Sequence, residues 1–282
     1  MTSINAGGVN MLNALKKLEW PYEILGKNYK WDGWRTRMLA YADFCDKQED
    51  PNTIVVLVDA YDALPIRSPT GFEELFESFQ SDLVIGAEHF CWFNCRPLEN
   101  YWLDHSKENR CGNYFVQGGC NAGRAHALSK MYRWCLNQGH TDDQIGISHY
   151  VDSFPDHVYL DSGNLISFHD NWGSTGSTTT NEDTGNILIT RKELETEPYF
   201  VHFPGFLAWS SLPLINWQKP SELKNYNLIG EQTLGDDFVN VGQVDRTAYS
   251  IGNTVGVFLI ISLFFICVLL LIVVCKKKTI LK

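Results

Sequence analysis

Residues 53–58, TIVVLV, are a continuous apolar run in which β-branched side chains dominate. A strand without polar alternation is typical of a parallel sheet, where both faces of the strand are covered. An amphipathic helix is predicted at 71–80, with Phe72 and Phe76 on its inner side, and DLVIGAE at 82–88 is the next predicted strand. A strand, a helix and a strand in so short a stretch predict a βαβ unit, and therefore an α/β fold.

The rest of the chain adds elements of both kinds. Apolar residues at helical spacing indicate helices, short apolar runs indicate strands, and small polar residues indicate loops. On this basis we predict helices at 10–19, 33–47, 124–137 and 142–150, strands at 22–25, 158–161, 165–168 and 199–203, and a mobile loop at 173–185.

Residues 255–275 contain no charged side chain and are followed directly by Lys276, Lys277 and Lys278. An apolar helix of this length spans about 31 Å, the thickness of the hydrocarbon core of a bilayer. A buried core helix is the alternative, but such helices rarely lack a polar stripe and rarely adjoin three lysines near the end of a chain. We therefore predict a globular domain at 1–234, a juxtamembrane linker at 235–254, a transmembrane helix at 255–275 and a basic tail at 276–282.

The charge distribution bears on partners and on membrane orientation. The chain has 23 basic and 33 acidic residues, and four of the basic ones lie in the tail, so the body is strongly acidic and no nucleic acid partner is expected. A basic tail favours the cytosolic side, which places the body in a lumen. The N-terminus shows no apolar export segment. We expect a single-pass protein of the endoplasmic reticulum or Golgi with a lumenal body, the alternative being a tail-anchored chain with a cytosolic body. The six cysteines outside the apolar run suit disulfides or buried thiols equally.

Two carboxylates, Asp59 and Asp62, come directly after the apolar run 53–58. In open α/β sheets, ligands bind beyond the carboxyl ends of the strands. Paired carboxylates suit Mg²⁺ or Mn²⁺, with a substrate diphosphate completing the coordination shell, so that the metal can neutralise a nucleotide-sugar leaving group. The alternative is that one of the two aspartates caps the N-terminus of a helix and the other is solvated. A hydrolase phospho-aspartate site is disfavoured because it requires D-x-D-x-T/V, and Ala60–Tyr61 put the second aspartate one position too far.

Five motifs carry a resemblance to a known family, in the same order and spacing. The resemblance is to the N-terminal glycosyltransferase domain of the multifunctional collagen lysyl hydroxylases, over roughly residues 10–210. Its specific part is the pairing of VDAYD with AEHFCW. The motifs are VDAYDAL at 58–64, IGAEHFCW at 85–92, QGGC at 117–120, DDQ at 142–144 and YFVHFPG at 199–205. The resemblance implies a GT-A-type, Rossmann-like nucleotide-sugar domain and a metal-dependent glycosyltransferase that uses UDP-glucose or UDP-galactose.

The resemblance also implies a metal site and an acceptor. Asp59 and Asp62 match the metal-binding pair of the family, and His202 matches its third metal ligand, for which neutral imidazole is suited. Without that match, a lone histidine after a strand is more often a core or surface residue. Trp92 matches an aromatic residue near the sugar and the acceptor. The implied acceptor is a hydroxyl group, with hydroxylysine or galactosyl-hydroxylysine of a collagen-like protein as the specific case.

Further matches concern the transferred sugar and the diphosphate. Asp142 and Asp143 match acidic residues that hold the transferred sugar or the acceptor, and a helix N-cap pair is their alternative. Arg35 and Arg37 fall where the family has a basic pair, which can face the diphosphate; solvated helix arginines are the alternative. The pair Gly118–Gly119 would allow the backbone to approach the ligand closely, or would form a turn.

The chain departs from the family pattern in several places. The family's V-H-G-N-G is Val201–Gly205 here, with Pro204 in place of the asparagine, and Val116 replaces another asparagine. The family's first strand is missing, as is an export signal, and we interpret both as the result of a start site placed too late. No hydroxylase domain follows, so iron and 2-oxoglutarate chemistry is not expected. The missing first strand and Pro204 favour an alternative function, a degenerate, non-catalytic domain that binds a sugar or a protein at a membrane. The intact Asp59, Asp62 and His202 oppose that alternative.

Overall fold

The computed structural model describes residues 6–27, 29–89, 98, 100–102, 113–169, 177–191 and 194–202. The predicted linker at 235–254, the apolar run at 255–275 and the basic tail at 276–282 lie outside these residues. Within the described ranges, every helix falls short of the length and apolar character that crossing a bilayer requires.

Helices and strands alternate along much of the chain. The helices are α1 (Ala6–Lys17), α2 (Trp34–Asp46), α3 (Phe72–Ser78), α4 (Ala125–Asn137) and α5 (Asp143–Ser153), and a 3₁₀ turn covers Pro155–His157. The strands are β1 (Ile54–Val58), β2 (Ala63–Pro65), β3 (Leu83–Glu88), β4 (Phe115–Arg124), β5 (Tyr159–Asp161), β6 (Ser167–His169), β7 (Ser177–Thr180), β8 (Ile187–Arg191), β9 (Leu194–Thr196) and β10 (Phe200–His202).

The main sheet has the strand order β1-β4-β3-β5. β4 is antiparallel to both β1 and β3, whereas β3 and β5 are parallel. The predicted βαβ unit is therefore wrong in one respect, because β1 and β3 point the same way but β4 lies between them. The sequence did not predict β4, FVQGGCNAGR, because its glycines and polar residues break the apolar pattern of a buried strand.

Helices cover both faces of the main sheet. Buried residues of α2, α4 and α5 form one core with residues such as Leu57 and Ile85, and buried residues of α1 and α3 form a second core with Val84 and Ala122. Successive residues of a strand point to opposite faces, which is why Val84 and Ile85 belong to different cores. The described residues thus form a mixed α/β domain, as predicted.

Two smaller three-stranded sheets complete the described structure. In one, with the order β2-β10-β6, β10 is antiparallel to β2 and parallel to β6. In the other, β7, β8 and β9 are joined as antiparallel neighbours. A third core, which includes Leu64, Phe168, Ile189 and Val201, joins the two small sheets.

The predicted burial of β1 on both faces is wrong. Val55 and Leu57 are buried, but Ile54, Val56 and Val58 are only partly buried. β1 is the end strand of the main sheet among the described residues, and its partly buried face borders a cleft of about 1030 Å³. The apolar run therefore marks an end strand with one fully buried face, whereas its other face packs only partly against the second core because it also borders the cleft.

Other expectations need smaller corrections. The loop predicted at 173–185 contains strand β7, in which consecutive β-branched threonines pair with β8. The strand predicted at 22–25 has no strand structure. Cys45, Cys120 and Cys135 are buried free thiols. For these three cysteines, the buried-thiol alternative is therefore correct and the disulfide alternative is wrong.

Candidate functional site

Three of the predicted site residues meet where strands end. Asp59 directly follows β1, Asp62 directly precedes β2, and His202 ends β10, where it lies opposite Ala63. His202 Nε2 is 3.4 Å from Asp62 Oδ1 and 3.8 Å from Asp59 Oδ2. One ligand atom from each residue lies within 4.8 Å of the others. The turn at 59–62 thus carries two carboxylates to the buried imidazole that β10 supplies.

The donor set fits a divalent cation. Two carboxylate oxygens and an imidazole nitrogen are ligands that Mn²⁺ and Mg²⁺ sites accept, with imidazole favouring the transition metal. His202 is only 1% exposed, and its Nε2 faces both carboxylates without forming a hydrogen bond of ordinary geometry. A buried nitrogen with no hydrogen bond is costly unless something else occupies its lone pair. Asp59, Asp62 and His202 are therefore the residues that could hold a metal.

The two glycines of β4 have different surroundings. A Cβ built on Gly119 would lie 2.2 Å from His202 Cε1 and 2.6 Å from Nε2, whereas one on Gly118 would lie no closer than 3.5 Å to Gln144. The backbone N–H of Asp59 donates to the Gly119 carbonyl at 2.8 Å. Both glycines lie inside a strand, so the turn alternative is wrong. Gly119 provides the space that the His202 ring occupies, while close approach to a ligand stays a prediction for both.

Arg37 joins two of the predicted acidic residues. One of its guanidinium nitrogens pairs with Asp59 and the other with Asp143. The guanidinium also lies over the ring of Trp34, 4.6 Å from the ring centroid. Arg35, by contrast, is exposed and makes a long contact of 3.5 Å to the Leu136 carbonyl. The structure therefore brings Arg37 to the cluster and leaves Arg35 outside it.

The adjacent residues Asp142 and Asp143 differ in environment. Asp142 is the N-cap of α5, and its Oδ1 accepts the backbone N–H of Ile145 at 3.0 Å. This is the capping alternative, here confirmed for one of the two residues. Asp143 is 2% exposed and pairs with Arg37. Trp92, the remaining predicted site residue, lies outside the described residues.

The electrostatics of the cluster follow from buried negative charge. Burial raises the pKa of Asp59, Arg37 opposes the rise, and Asp62 adds to it, so that the pKa is about 6. Burial likewise raises the pKa of Asp143. Burial lowers the pKa of His202, but the charges of Asp62 and Asp59 outweigh it and the pKa is raised overall. The guanidinium of Arg37 pairs with Asp59 and Asp143, and Asp62 adds a third carboxylate, so a divalent cation would compensate the surplus negative charge.

Three polar residues near the cluster were not among the predicted site residues: Glu88 and His169, which are buried, and Gln144, which is partly buried. His169 Nδ1 is 3.2 Å from His202 Nδ1, and Gln144 Nε2 donates to Glu88 at 2.7 Å. Burial, with His202 and Arg191 adding to it, holds the pKa of His169 well below its usual value, so its ring is neutral. The signal was present for Glu88 and Gln144, which belong to the motifs IGAEHFCW and DDQ. His169 follows the strand predicted at 165–168, at the same edge as the other site residues.

The cluster opens onto the cleft beside β1. The cleft is lined by the partly buried face of β1, by Asp59, Asp62 and Arg37, and by the exposed rings of Trp31 and Trp34. The two indoles meet edge to face, with ring centroids 5.4 Å apart. A cleft that combines two carboxylates, the guanidinium of Arg37 and aromatic walls suits a ligand with both charged and planar parts.

Comparisons with known proteins identify relatives of this chain. A family model described as the PLOD GT domain matches residues 2–208. Over 146 residues the chain is 27% identical to a multifunctional procollagen lysine hydroxylase and glycosyltransferase of Caenorhabditis elegans, covering 48% of this chain and 19% of that protein. Over 138 residues it is 30% identical to the human multifunctional procollagen lysine hydroxylase and glycosyltransferase LH3, covering 49% of this chain and 16% of that protein. The chain therefore matches less than a fifth of the length of either relative.

A crystal structure of mouse xyloside xylosyltransferase 1 in its apo form aligns with a TM-score of 0.31 and 11% identity. The alignment covers 58% of this chain and 62% of that one.

Proposed function

This chain belongs to the PLOD GT domain family, and from that membership we propose that it is a metal-dependent glycosyltransferase with a GT-A-type nucleotide-sugar fold. The proposed reaction moves glucose or galactose from a UDP-sugar to a hydroxyl acceptor, with Mn²⁺ or Mg²⁺ as the metal. The observation that carries the proposal is the cluster of Asp59, Asp62 and His202 at the end of a cleft, since these residues supply oxygen and nitrogen ligands at strand ends.

The proposed roles follow from the contacts. Asp59, Asp62 and His202 would hold the cation, which when bound would neutralise the negative charge that develops on the departing UDP. Arg37 holds Asp59 and Asp143 on either side of its planar guanidinium, and so fixes the orientation of a metal ligand and of a predicted sugar-binding carboxylate. The cleft beside β1 would take the nucleotide, with Trp31 and Trp34 as apolar walls.

We propose hydroxylysine or galactosyl-hydroxylysine of a collagen-like protein as the acceptor. The support is the similarity to proteins named as procollagen lysine hydroxylases and glycosyltransferases. The chain matches less than a fifth of the length of either protein, so the acceptor is tested directly in the assay below. Another glycan or protein hydroxyl would satisfy the same site chemistry.

The test is UDP release by the purified full chain in mild detergent, with Mn²⁺ and a panel of UDP-sugars, in the presence and absence of a hydroxylysine peptide. Release that depends on Mn²⁺ is expected from one donor, and the peptide should stimulate it. The double variant Asp59→Ala/Asp62→Ala should lose it, whereas Asp183→Ala, at an exposed site outside the cleft, should not. Absence of release from every donor by the folded chain would contradict the proposal.

One observation favours the non-catalytic alternative. Val116, where the family has an asparagine, is 1% exposed and packs in the core, so it offers a donor substrate no polar contact. A degenerate domain would bind Mn²⁺ and UDP but show no turnover. Binding of UDP by calorimetry, run beside the release assay on the same preparation, separates the two functions.

We also propose that residues 255–275 anchor the chain in the membrane of the endoplasmic reticulum or Golgi as a single span. The uncharged length of the run and the lysines after it support this. The chain should remain in the membrane pellet after alkaline carbonate extraction, and replacing Leu269 and Leu270 by lysine should release it. Extraction of the unsubstituted chain by carbonate would contradict the anchor. Protease protection in sealed vesicles would distinguish the lumenal body from the tail-anchored alternative.

A further inference from the structure

His169 and His202 lie side by side on two adjacent strands. β6 and β10 are parallel, and the register places His169 beside His202. Both residues are only 1% exposed, and their rings meet at 90° with centroids 5.3 Å apart. The two Nδ1 atoms are 3.2 Å apart, which is hydrogen-bond distance. Two buried imidazoles thus share one hydrogen bond at the edge of the metal cluster.

The position of the hydrogen in this bond decides whether His202 can bind a metal. Nε2 of His202 faces Asp59 and Asp62, so a metal needs the lone pair of that nitrogen. The ring hydrogen of a neutral His202 must then lie on Nδ1, from which it can donate only to the acceptor that faces it. That acceptor is Nδ1 of His169. If His169 donated instead, Nε2 of His202 would carry the hydrogen and could not coordinate.

We propose that His169 is a positioning residue for the metal centre: it accepts the hydrogen of His202 Nδ1 and so holds His202 in the tautomer and orientation that present Nε2 to the metal. The inference rests on the proposed function, because it presupposes that Asp59, Asp62 and His202 bind a cation. A ligating histidine usually donates to a carboxylate, a backbone carbonyl or water. Here a second imidazole takes that place.

The surroundings hold His169 in the accepting position. Its backbone carbonyl accepts a bond of 3.3 Å from Arg191, and a Cβ on Gly86 would come within 2.7 Å of its Nε2, so the ring fits against a glycine. Nε2 of His169 has no hydrogen bond among the described residues. Packing alone would be served equally well by an apolar side chain. The feature that an apolar side chain lacks is the acceptor facing His202.

The test compares two substitutions in the full chain, with Mn²⁺ alone as the probe. His169→Leu keeps much of the volume and removes the acceptor, whereas His169→Asn retains an oxygen near the position of Nδ1. Mn²⁺ affinity is measured by electron paramagnetic resonance titration without any UDP-sugar. We expect His169→Leu to weaken Mn²⁺ binding by about 10–100-fold, the usual effect of losing the partner of a ligating histidine, and His169→Asn to remain close to the unsubstituted chain. Thermal unfolding of each variant checks that it is folded.

The outcomes separate this inference from the proposed function. Equal Mn²⁺ affinity in all three chains, or equal weakening in both variants, would overturn the positioning role, as would a His202 Nε2–H tautomer seen by ¹⁵N NMR of the ring nitrogens. Failure of the unsubstituted chain to bind Mn²⁺ would overturn the inference together with the metal part of the proposed function. Normal Mn²⁺ binding with no sugar transfer would overturn the proposed reaction and leave the role of His169 standing.

Discussion

At the scale of single residues, the candidate site depends on the space that a glycine leaves as well as on the side chains that occupy it. Gly119 lies against the ring of His202, whereas a Cβ on its neighbour Gly118 would make only ordinary van der Waals contacts with Gln144. Neither glycine requires a left-handed backbone, so alanine is compatible with the backbone at both positions. The pair therefore offers a comparison in which only the free space differs.

We expect Gly119→Ala to abolish Mn²⁺ binding, because the added methyl group would occupy the position of the His202 ring and displace it from Asp59 and Asp62. Gly118→Ala should leave Mn²⁺ binding within a factor of a few. Titration of Mn²⁺ into each variant, with thermal unfolding as the check on folding, measures the difference. Equal binding by the two variants would show that Gly119 does not define the position of His202.

Arg37 gives a second prediction at this scale. Replacing it with leucine leaves Asp59 and Asp143 without their shared cation, and breaking a buried ion pair from one side costs about 3–5 kcal/mol. Arg35→Leu is the control, and its effect should stay below about 0.5 kcal/mol because Arg35 is exposed and makes only a long contact. Chemical denaturation gives both values. Equal losses in the two variants would contradict the role of Arg37 as the shared partner of Asp59 and Asp143.

At the scale of elements, the start of α5 gives two adjacent aspartates different tasks. Asp142 precedes the first helical residue and caps the helix, whereas Asp143 begins the helix and points inward to Arg37. Successive helical residues point about 100° apart, so one carboxylate at a helix start can serve the helix while the next serves a buried site. The element thus links the stability of α5 to the position of Asp143.

We expect Asp142→Ala to lower the free energy of unfolding by about 1 kcal/mol, the usual loss when an N-cap side chain is removed. Asp142→Ser should lose only a few tenths of a kcal/mol, because its hydroxyl oxygen still accepts a backbone N–H. Denaturant unfolding of the two variants gives the comparison. If the serine variant were as unstable as the alanine variant, the capping bond to Ile145 would not be the source of the stability.

The elements also show which parts of the fold and of the candidate site can be predicted from the sequence alone. Long apolar runs predicted β1 and β3, and helical spacing predicted α2, α3 and α4, since burial dominates those patterns. β4 was missed because glycine at 118, 119 and 123 serves close packing, which no periodicity records. Asp59, Asp62 and His202 were predicted and the structure brings them together. His169 was missed because its meeting with His202 depends on the parallel register of β6 and β10, which is a long-range pairing.

At the scale of the whole molecule, the described domain is a three-layer structure in which the cleft and the cluster of Asp59, Asp62 and His202 lie beside the end strand β1 of the main sheet. Ligands that bind the folded chain and not the unfolded chain raise its stability by mass action. The candidate site joins residues of α2, β10 and the β1–β2 turn, so a ligand there contacts distant parts of the chain at once. Ligand binding should therefore stabilise the domain as a unit.

We expect Mn²⁺ with UDP to raise the unfolding temperature of the full chain, with a free-energy gain of about 2.7 kcal/mol when the ligand stands at 100 times its dissociation constant. An excess of EDTA should remove the contribution of the metal. Thermal scanning of the unsubstituted chain and of Asp59→Ala/Asp62→Ala tests this, since the double variant should show no shift. A shift of the same size in the double variant would mean that the ligands bind elsewhere.

The position of β10 has a consequence for how the protein is made. β10 inserts between β2 and β6, both of which precede it along the chain, and it carries His202 at its end. Synthesis proceeds from the N-terminus, and contacts between distant segments form late. A nascent chain that has emerged only as far as β9 already contains Asp59 and Asp62 but does not yet contain His202. The proposed metal site would therefore be complete only after the ribosome has synthesised β10 and β10 has paired with β2 and β6.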